Sequence, residues 1–107
     1  MKGKLPYILQ AMFTKEGKMI EREIEITNKL GLHARASSKL VQLANRYRSK
    51  ITIKFNNSEV NAKSLLGLLT LAASKGSVIK IIADGEDEEK AINAIERLIK
   101  NKFGEKE

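Results

Sequence analysis

From residue 20 the chain alternates, Ile20-Glu-Arg-Glu-Ile24-Glu-Ile26, apolar on one side and charged on the other. Period two marks a half-buried strand. Asn28-Lys-Leu-Gly31 reads as a turn. Over 34–47 the period changes: Leu40, Val41, Ala44 and Tyr47 recur at helical spacing, with Arg35, Lys39, Gln42 and Arg46 opposite. A helix with a basic outer face is expected there. Ile51, Ile53 and Phe55 alternate again, and Asn56-Asn57-Ser58 supplies hairpin chemistry before a short strand over 59–62. Residues 64–73 predict a short helix, with Gly76 at or just after its end. Its core side is read as Leu68, Leu71 and Ala72. The β-branched run 78–83 suits a central strand, and Asp84-Gly85 turns into a last helix. That helix has Asp87, Glu88 and Glu89 in its first turn and Lys100 and Lys102 at its end, as the macrodipole favours. Ala91, Ile92, Ile95, Leu98 and Ile99 form its core stripe.

The order is strand, helix, strand, strand, helix, strand, helix. Helices and strands with one apolar face each predict an α+β, two-layer sandwich with the helices on one side of the sheet. The other face of the first strand carries Glu21, Glu23 and Glu25 and should be wet. No internal repeat or low-complexity stretch divides the pattern, so 19–107 reads as one domain.

Composition narrows the chemistry. The chain has 107 residues, 42% hydrophobic, which suffices for one core without metal or disulfide staples. With no cysteine there is no disulfide, thiolate zinc site or cysteine nucleophile, and one histidine cannot build a multi-histidine metal site. The net charge of +7 fits an acidic protein partner or a nucleic acid. RNA-binding sheets of this architecture expose aromatics on a strand face, where this chain carries glutamates. Residues 1–18 hold lysines and a short apolar run, but Pro6, Tyr7 and Gln10 interrupt it and no Ala-x-Ala site follows. The run is too short to span a bilayer. These residues are expected to be a loosely attached extension, with Met19 the alternative start, and the protein is expected in the cytoplasm.

Three blocks carry a resemblance: Gly31-Leu-His-Ala-Arg35, then Ala62-Lys-Ser-Leu-Leu-Gly-Leu-Leu-Thr-Leu71, then Ala83-Asp-Gly-Glu-Asp87. Together, and colinear over 19–103, they resemble the histidine-containing phosphocarrier (HPr) family of the bacterial phosphoenolpyruvate-dependent phosphotransferase system. The resemblance implies an open-faced βαββαβα sandwich with a four-stranded antiparallel sheet and three helices on one face. It implies a monomeric carrier, not an enzyme, with no cofactor or metal. His33 would accept a phosphoryl group on Nδ1 from enzyme I and pass it to a histidine of an enzyme IIA domain. The local chemistry agrees: Gly31 permits a tight turn, and His33 caps the helix beginning at Ala34. Backbone N–H groups there, including those of Ala34 and Arg35, can hold an anion, and the Arg35 side chain adds charge. The plain alternative for His33 is an ordinary capping residue.

Ser64 reads from its position as a helix N-cap. By resemblance it also matches a serine that HPr kinase/phosphorylase modifies in some bacteria. Leu65, Leu66, Leu69 and Thr70 would belong to the partner surface, rimmed by Arg35, Lys39 and Arg46. One position departs from the family pattern: Ala36 stands where His-Ala-Arg is usually followed by proline. Alanine keeps an N–H and gives up some stiffness. Ile26-Thr-Asn-Lys-Leu-Gly31 is similar to the nitrogen-related branch, so sugar uptake and nitrogen regulation are both open, as is a regulatory protein controlled through Ser64.

Overall fold

Alternation becomes pairing along the edge strand β1 (Ile20–Glu25), whose inward residues Ile20, Arg22 and Ile24 lie opposite Ala83, Ile81 and Ile79 of β4 (Val78–Asp84). β2 (Lys50–Phe55) flanks β4 on its other side, with Ile51 against Ala83 and Ile53 against Ile81. β3 (Ser58–Asn61) forms the far edge. The sheet order is β1-β4-β2-β3, antiparallel throughout. Cross-strand partners share a face, so Ile24, Ile51, Ile53, Ile79, Ile81 and Ala83 make one buried apolar layer. The structure, a computed structural model, describes residues 19–107. The expectation of a loose extension or a later start at 1–18 lies outside the described residues.

Among the described residues three helices cover the apolar layer: α1 (Ala34–Ala44), α2 (Leu65–Leu71) and α3 (Glu88–Lys100). α3 lies on β1 and β4 and buries Ala91, Ile92, Ile95 and Ile99, while Leu98 is half-buried at its flank. Each buried isoleucine is worth about 2 kcal/mol of transfer free energy, which is why the periodic positions dictate the architecture. Arg22 occupies an inward position without breaking the layer. At the sheet edge its guanidinium donates to Asn93 Oδ1 and Glu96 Oε1 of α3, each at 2.6 Å. The opposite sheet face is wet: Glu21, Glu23 and Glu25 are exposed, and Lys80 Nζ lies 3.6 Å from Glu21 Oε1.

Two helix ends differ from the periodic expectation. α1 stops at Ala44, short of Tyr47, because the N–H groups of Arg46 and Tyr47 reach only three residues back, to Leu43 O and Ala44 O. This tighter turn still lays Tyr47 on the core, so the apolar spacing outlasts the helix. α2 is ended by Ala72, in the left-handed region at φ +52°, rather than at Gly76. Ala72 is consequently exposed, and Ala73 is the alanine that turns inward. The short strand runs 58–61 rather than 59–62.

Past α3 the chain turns back on the domain. A 3₁₀ turn, Lys102–Gly104, follows, in which Lys102, Phe103 and Gly104 all take positive φ and Phe103 is fully buried. The buried ring anchors the turn. The tail then runs beside the loop before α1, where the backbone N–H of Lys29 donates to Glu107 O.

Candidate phosphoryl-transfer site

The loop leading into α1 is held by a close approach that only glycine allows. Gly31 has φ +67°, and a Cβ there would sit 2.5 Å from Ala73 O and 2.8 Å from Ser74 Cα. Beside it the Leu32 N–H donates to Ala73 O at 2.9 Å, which fixes this loop to the segment after α2. His33 follows as the N-cap of α1, with extended backbone at φ −79°, ψ −178°. Its carbonyl accepts the first helical bond, from Ser37 N–H at 2.8 Å, but its side chain does not cap the helix. Among the described residues no side chain caps the first-turn N–H groups of Ala34, Arg35 and Ala36. Alanine at 36 supplies the third of these donors, which proline would lack.

The imidazole turns instead to the C-terminal tail. His33 Nε2 lies 2.6 Å from Glu105 Oε2. An ionised carboxylate can only accept, so Nε2 carries the proton and Nδ1 keeps the ring's lone pair in the neutral form. Glu105 Oε1 is held in turn by Asn28, whose Nδ2 donates to it at 3.0 Å and to Gly31 O at 2.9 Å. Asn28 is fully buried, and its Oδ1 has no partner among the described residues. Both amide hydrogens are thus spent on orienting the loop and the carboxylate. Burial pushes the Glu105 carboxyl up, but hydrogen bonds from His33 and Asn28, reinforced by electrostatic attraction to His33 and Lys39, outweigh it. The net result lies below the ordinary carboxylate range.

Around this pair is an open pocket of about 690 Å³, lined by Lys29, Leu30, His33, Ala34, Arg35, Lys39 and residues 104–107. Four cationic side chains (Lys29, Arg35, Lys39, Lys106) meet two carboxylates there, Glu105 and Glu107. Such a balance favours an incoming dianion. Arg35 is exposed. Lys39 is also tied down, donating from Nζ to Phe103 O at 2.7 Å, so it fastens the tail as well as lining the pocket. No group of three or more His, Asp or Glu side chains among the described residues is arranged to hold a metal.

The other positions singled out from the sequence lie along α1 and α2. Ser64 caps α2, its Oγ accepting from Gly67 N–H at 3.0 Å. On α2, Leu65, Leu66 and Leu69 are 41%, 74% and 36% exposed, a sizeable apolar surface on one short helix. Thr70 is exposed with its hydroxyl donating to Gly67 O, and Arg46 is exposed just beyond α1. Asn28 and Glu105 were not found by sequence reasoning. Asn28 was read only as part of the Asn28-Lys-Leu-Gly31 turn, and for Glu105 the hint was Phe103-Gly104: an aromatic then a glycine just past a charged helix end marks a chain that docks and turns back.

Comparison with known proteins gives these features a family. Residues 20–101 match the family described as "PTS HPr component phosphorylation site". The chain is 51% identical over 87 residues to a phosphocarrier protein HPr of Xylella fastidiosa, covering 81% of this chain and 98% of that one. To an HPr of Neisseria meningitidis it is 51% identical over 89 residues, covering 83% of this chain and all of the relative. A crystal structure of an HPr from Thermoanaerobacter tengcongensis superposes with a TM-score of 0.80 at 48% identity, covering 82% of this chain and 99% of that one. The antiparallel open-faced sandwich and the sequence agree with one another, and the chain belongs to the HPr family of phosphocarrier proteins of the phosphotransferase system.

Proposed function

We propose that this protein is a stoichiometric carrier, and that His33 takes a phosphoryl group from phosphorylated enzyme I and passes it to a histidine of an enzyme IIA domain. The observation that carries this reading is the position of the chain's one histidine: at the N-terminus of α1, beside first-turn N–H groups that no side chain of the described residues caps, in a cationic pocket. Phosphoryl oxygens arriving on Nδ1 would meet those donors and the positive end of the helix dipole. Arg35, from the first turn, would supply a further charge to the transferring group. With a donor that carries the group on an imidazole, as His33 and its acceptor do, transfer is close to balanced in chemistry and can run in either direction. Fed from phosphoenolpyruvate, such a relay works in the cytoplasm.

The apolar residues Leu65, Leu66 and Leu69, with Thr70 and the basic Lys39 and Arg46, would provide the surface that successive partners use. A modest patch suits partners that must leave again. Incubation with phosphoenolpyruvate and a cognate enzyme I should place one acid-labile, base-stable phosphoryl group on the protein, and H33A should abolish it while leaving the fold intact. Undiminished labelling of H33A would sink the assignment.

A further inference from the structure

We propose that Glu105 is a positioning residue for transfer at His33: its carboxylate fixes the imidazole with Nε2 protonated and Nδ1 free, and pairs with the charge the ring gains as it is phosphorylated. The proposal rests on His33 being the acceptor and adds a residue outside the matched family segment, which ends at residue 101.

Three observations support it. The contact is short, 2.6 Å between Nε2 and Oε2, with the two side chains only 27% and 16% exposed. The carboxylate cannot swing freely, because Asn28 holds its second oxygen and is itself fully buried. The segment bearing Glu105 is also fastened, by the buried Phe103 ring and by Lys39 on Phe103 O. A carboxylate this well anchored in front of a nucleophilic histidine holds one tautomer, as an aspartate does for the histidine of a serine hydrolase triad.

The step balances without another reactant. The donor's N–P bond breaks as the Nδ1–P bond forms, and the donor ring returns to neutral imidazole. His33 keeps its Nε2 proton and becomes a phosphoimidazolium, whose positive charge faces the Glu105 carboxylate. The same hydrogen bond keeps the ring from capping α1, so the N–H groups of the exposed Ala34 and Arg35 stay available to the phosphoryl oxygens.

The test compares wild type, E105A and E105Q in phosphoryl transfer from phosphorylated enzyme I, with folding checked by circular dichroism. Nitrogen-15 NMR of the His33 ring is recorded on the unphosphorylated proteins. Wild type should show an unprotonated Nδ1 and a downfield, slowly exchanging Nε2–H, and E105A should lose that proton signal. E105A should lower the maximal transfer rate by about tenfold to a hundredfold while KM for the donor stays within about twofold, as expected when a charge-stabilising orienting group is removed. E105Q should fall between the two, since an amide offers one acceptor oxygen for the two donors and no charge. A maximal rate for E105A within about twofold of wild type, or a proton on Nδ1 in the neutral wild-type ring, would overturn the proposal while the carrier reading stands. Wild type that takes no label, or H33A that does, overturns the carrier reading and this proposal with it.

Discussion

α1 and α2 begin on similar backbone, an extended residue at the cap: His33 at φ −79°, ψ −178°, and Ser64 at φ −111°, ψ 113°. Their side chains then do opposite things. Ser64 Oγ turns onto its own helix and takes the Gly67 N–H, so one orphan donor of α2 is satisfied within the element. His33 turns away, to Glu105, and leaves the donors of α1 open. The closed end is built for stability. The open end forgoes roughly 1 kcal/mol of capping and keeps a place for an anion. α3 shows a third arrangement: Asp87 at its cap position spends its carboxylate on the Arg48 and Ser49 N–H groups, joining the helix start to the entry of β2.

The largest effect should come from the residue that ties the open end to the end of α2. G31A puts a Cβ into Ala73 O and asks alanine to hold φ +67°, so it should destabilise the fold by about 3 kcal/mol in urea unfolding. A loss below about 1 kcal/mol would mean that the loop before α1 adjusts easily and that His33 is not held in a fixed place.

Next in size are the caps themselves. S64A should cost about 1 kcal/mol with little change in labelling of His33, whereas S64D should keep most of the stability because aspartate also caps. The aspartate adds a negative charge beside Leu65 and Leu66, and should slow transfer if partners meet this surface with acidic groups, with partial rescue by salt. The matching experiment on α1 compares H33S with H33A. Neither can bond Glu105 as histidine does, so the serine variant should be more stable by about 1 kcal/mol, the capping that the native residue forgoes. Equal stabilities would show that the N-terminus of α1 is already satisfied and that the contrast between the two ends is false.

That contrast was only partly written in local sequence. Ser64 before an apolar run announces its cap, because an N-cap is decided within four residues. The four strands and three helices follow from periods of two and 3.6, which a buried face imposes on the residues that form it. The end of α2 did not follow, since it depends on Ala72 adopting a left-handed conformation that Gly76 would adopt more readily. Neither did the end of α1, where Tyr47 stays on the core after the helix has stopped. His33 and Arg35 could be placed at a helix start from their neighbours. The Asn28–Glu105–His33 chain could not, because its members are brought together by the turn at 102–104 across more than seventy positions of sequence.

The smallest expected effect is the acid response, and it separates the tail from the rest of the fold. Glu105 and Asp87 both have carboxyls held below their ordinary range. For Asp87 the Ser49 hydroxyl is the leading cause; burial opposes it, and the Arg48 and Ser49 N–H groups reinforce it. A folded pKa below the unfolded one means that each group's contribution is fully present above the unfolded value, near about 4. It fades as pH falls through the lower folded value, because the protonated carboxyl no longer attracts its partners. Glu105 does this among His33, Lys29, Arg35, Lys39, Lys106 and Glu107, so protonating it also removes one of the two negative charges in a cationic pocket. The stability difference between wild type and E105Q should thus be present at about pH 5 and shrink below about 4. In the same acid range the downfield Nε2–H signal of His33 should weaken before the amide signals of β4 change, since the tail leaves while the sheet stays. A difference that persists unchanged into strong acid would mean that the Glu105 carboxylate contributes nothing as a charge, and that the tail is held by the Phe103 ring and the bonds of Lys39 and Lys29 to its backbone.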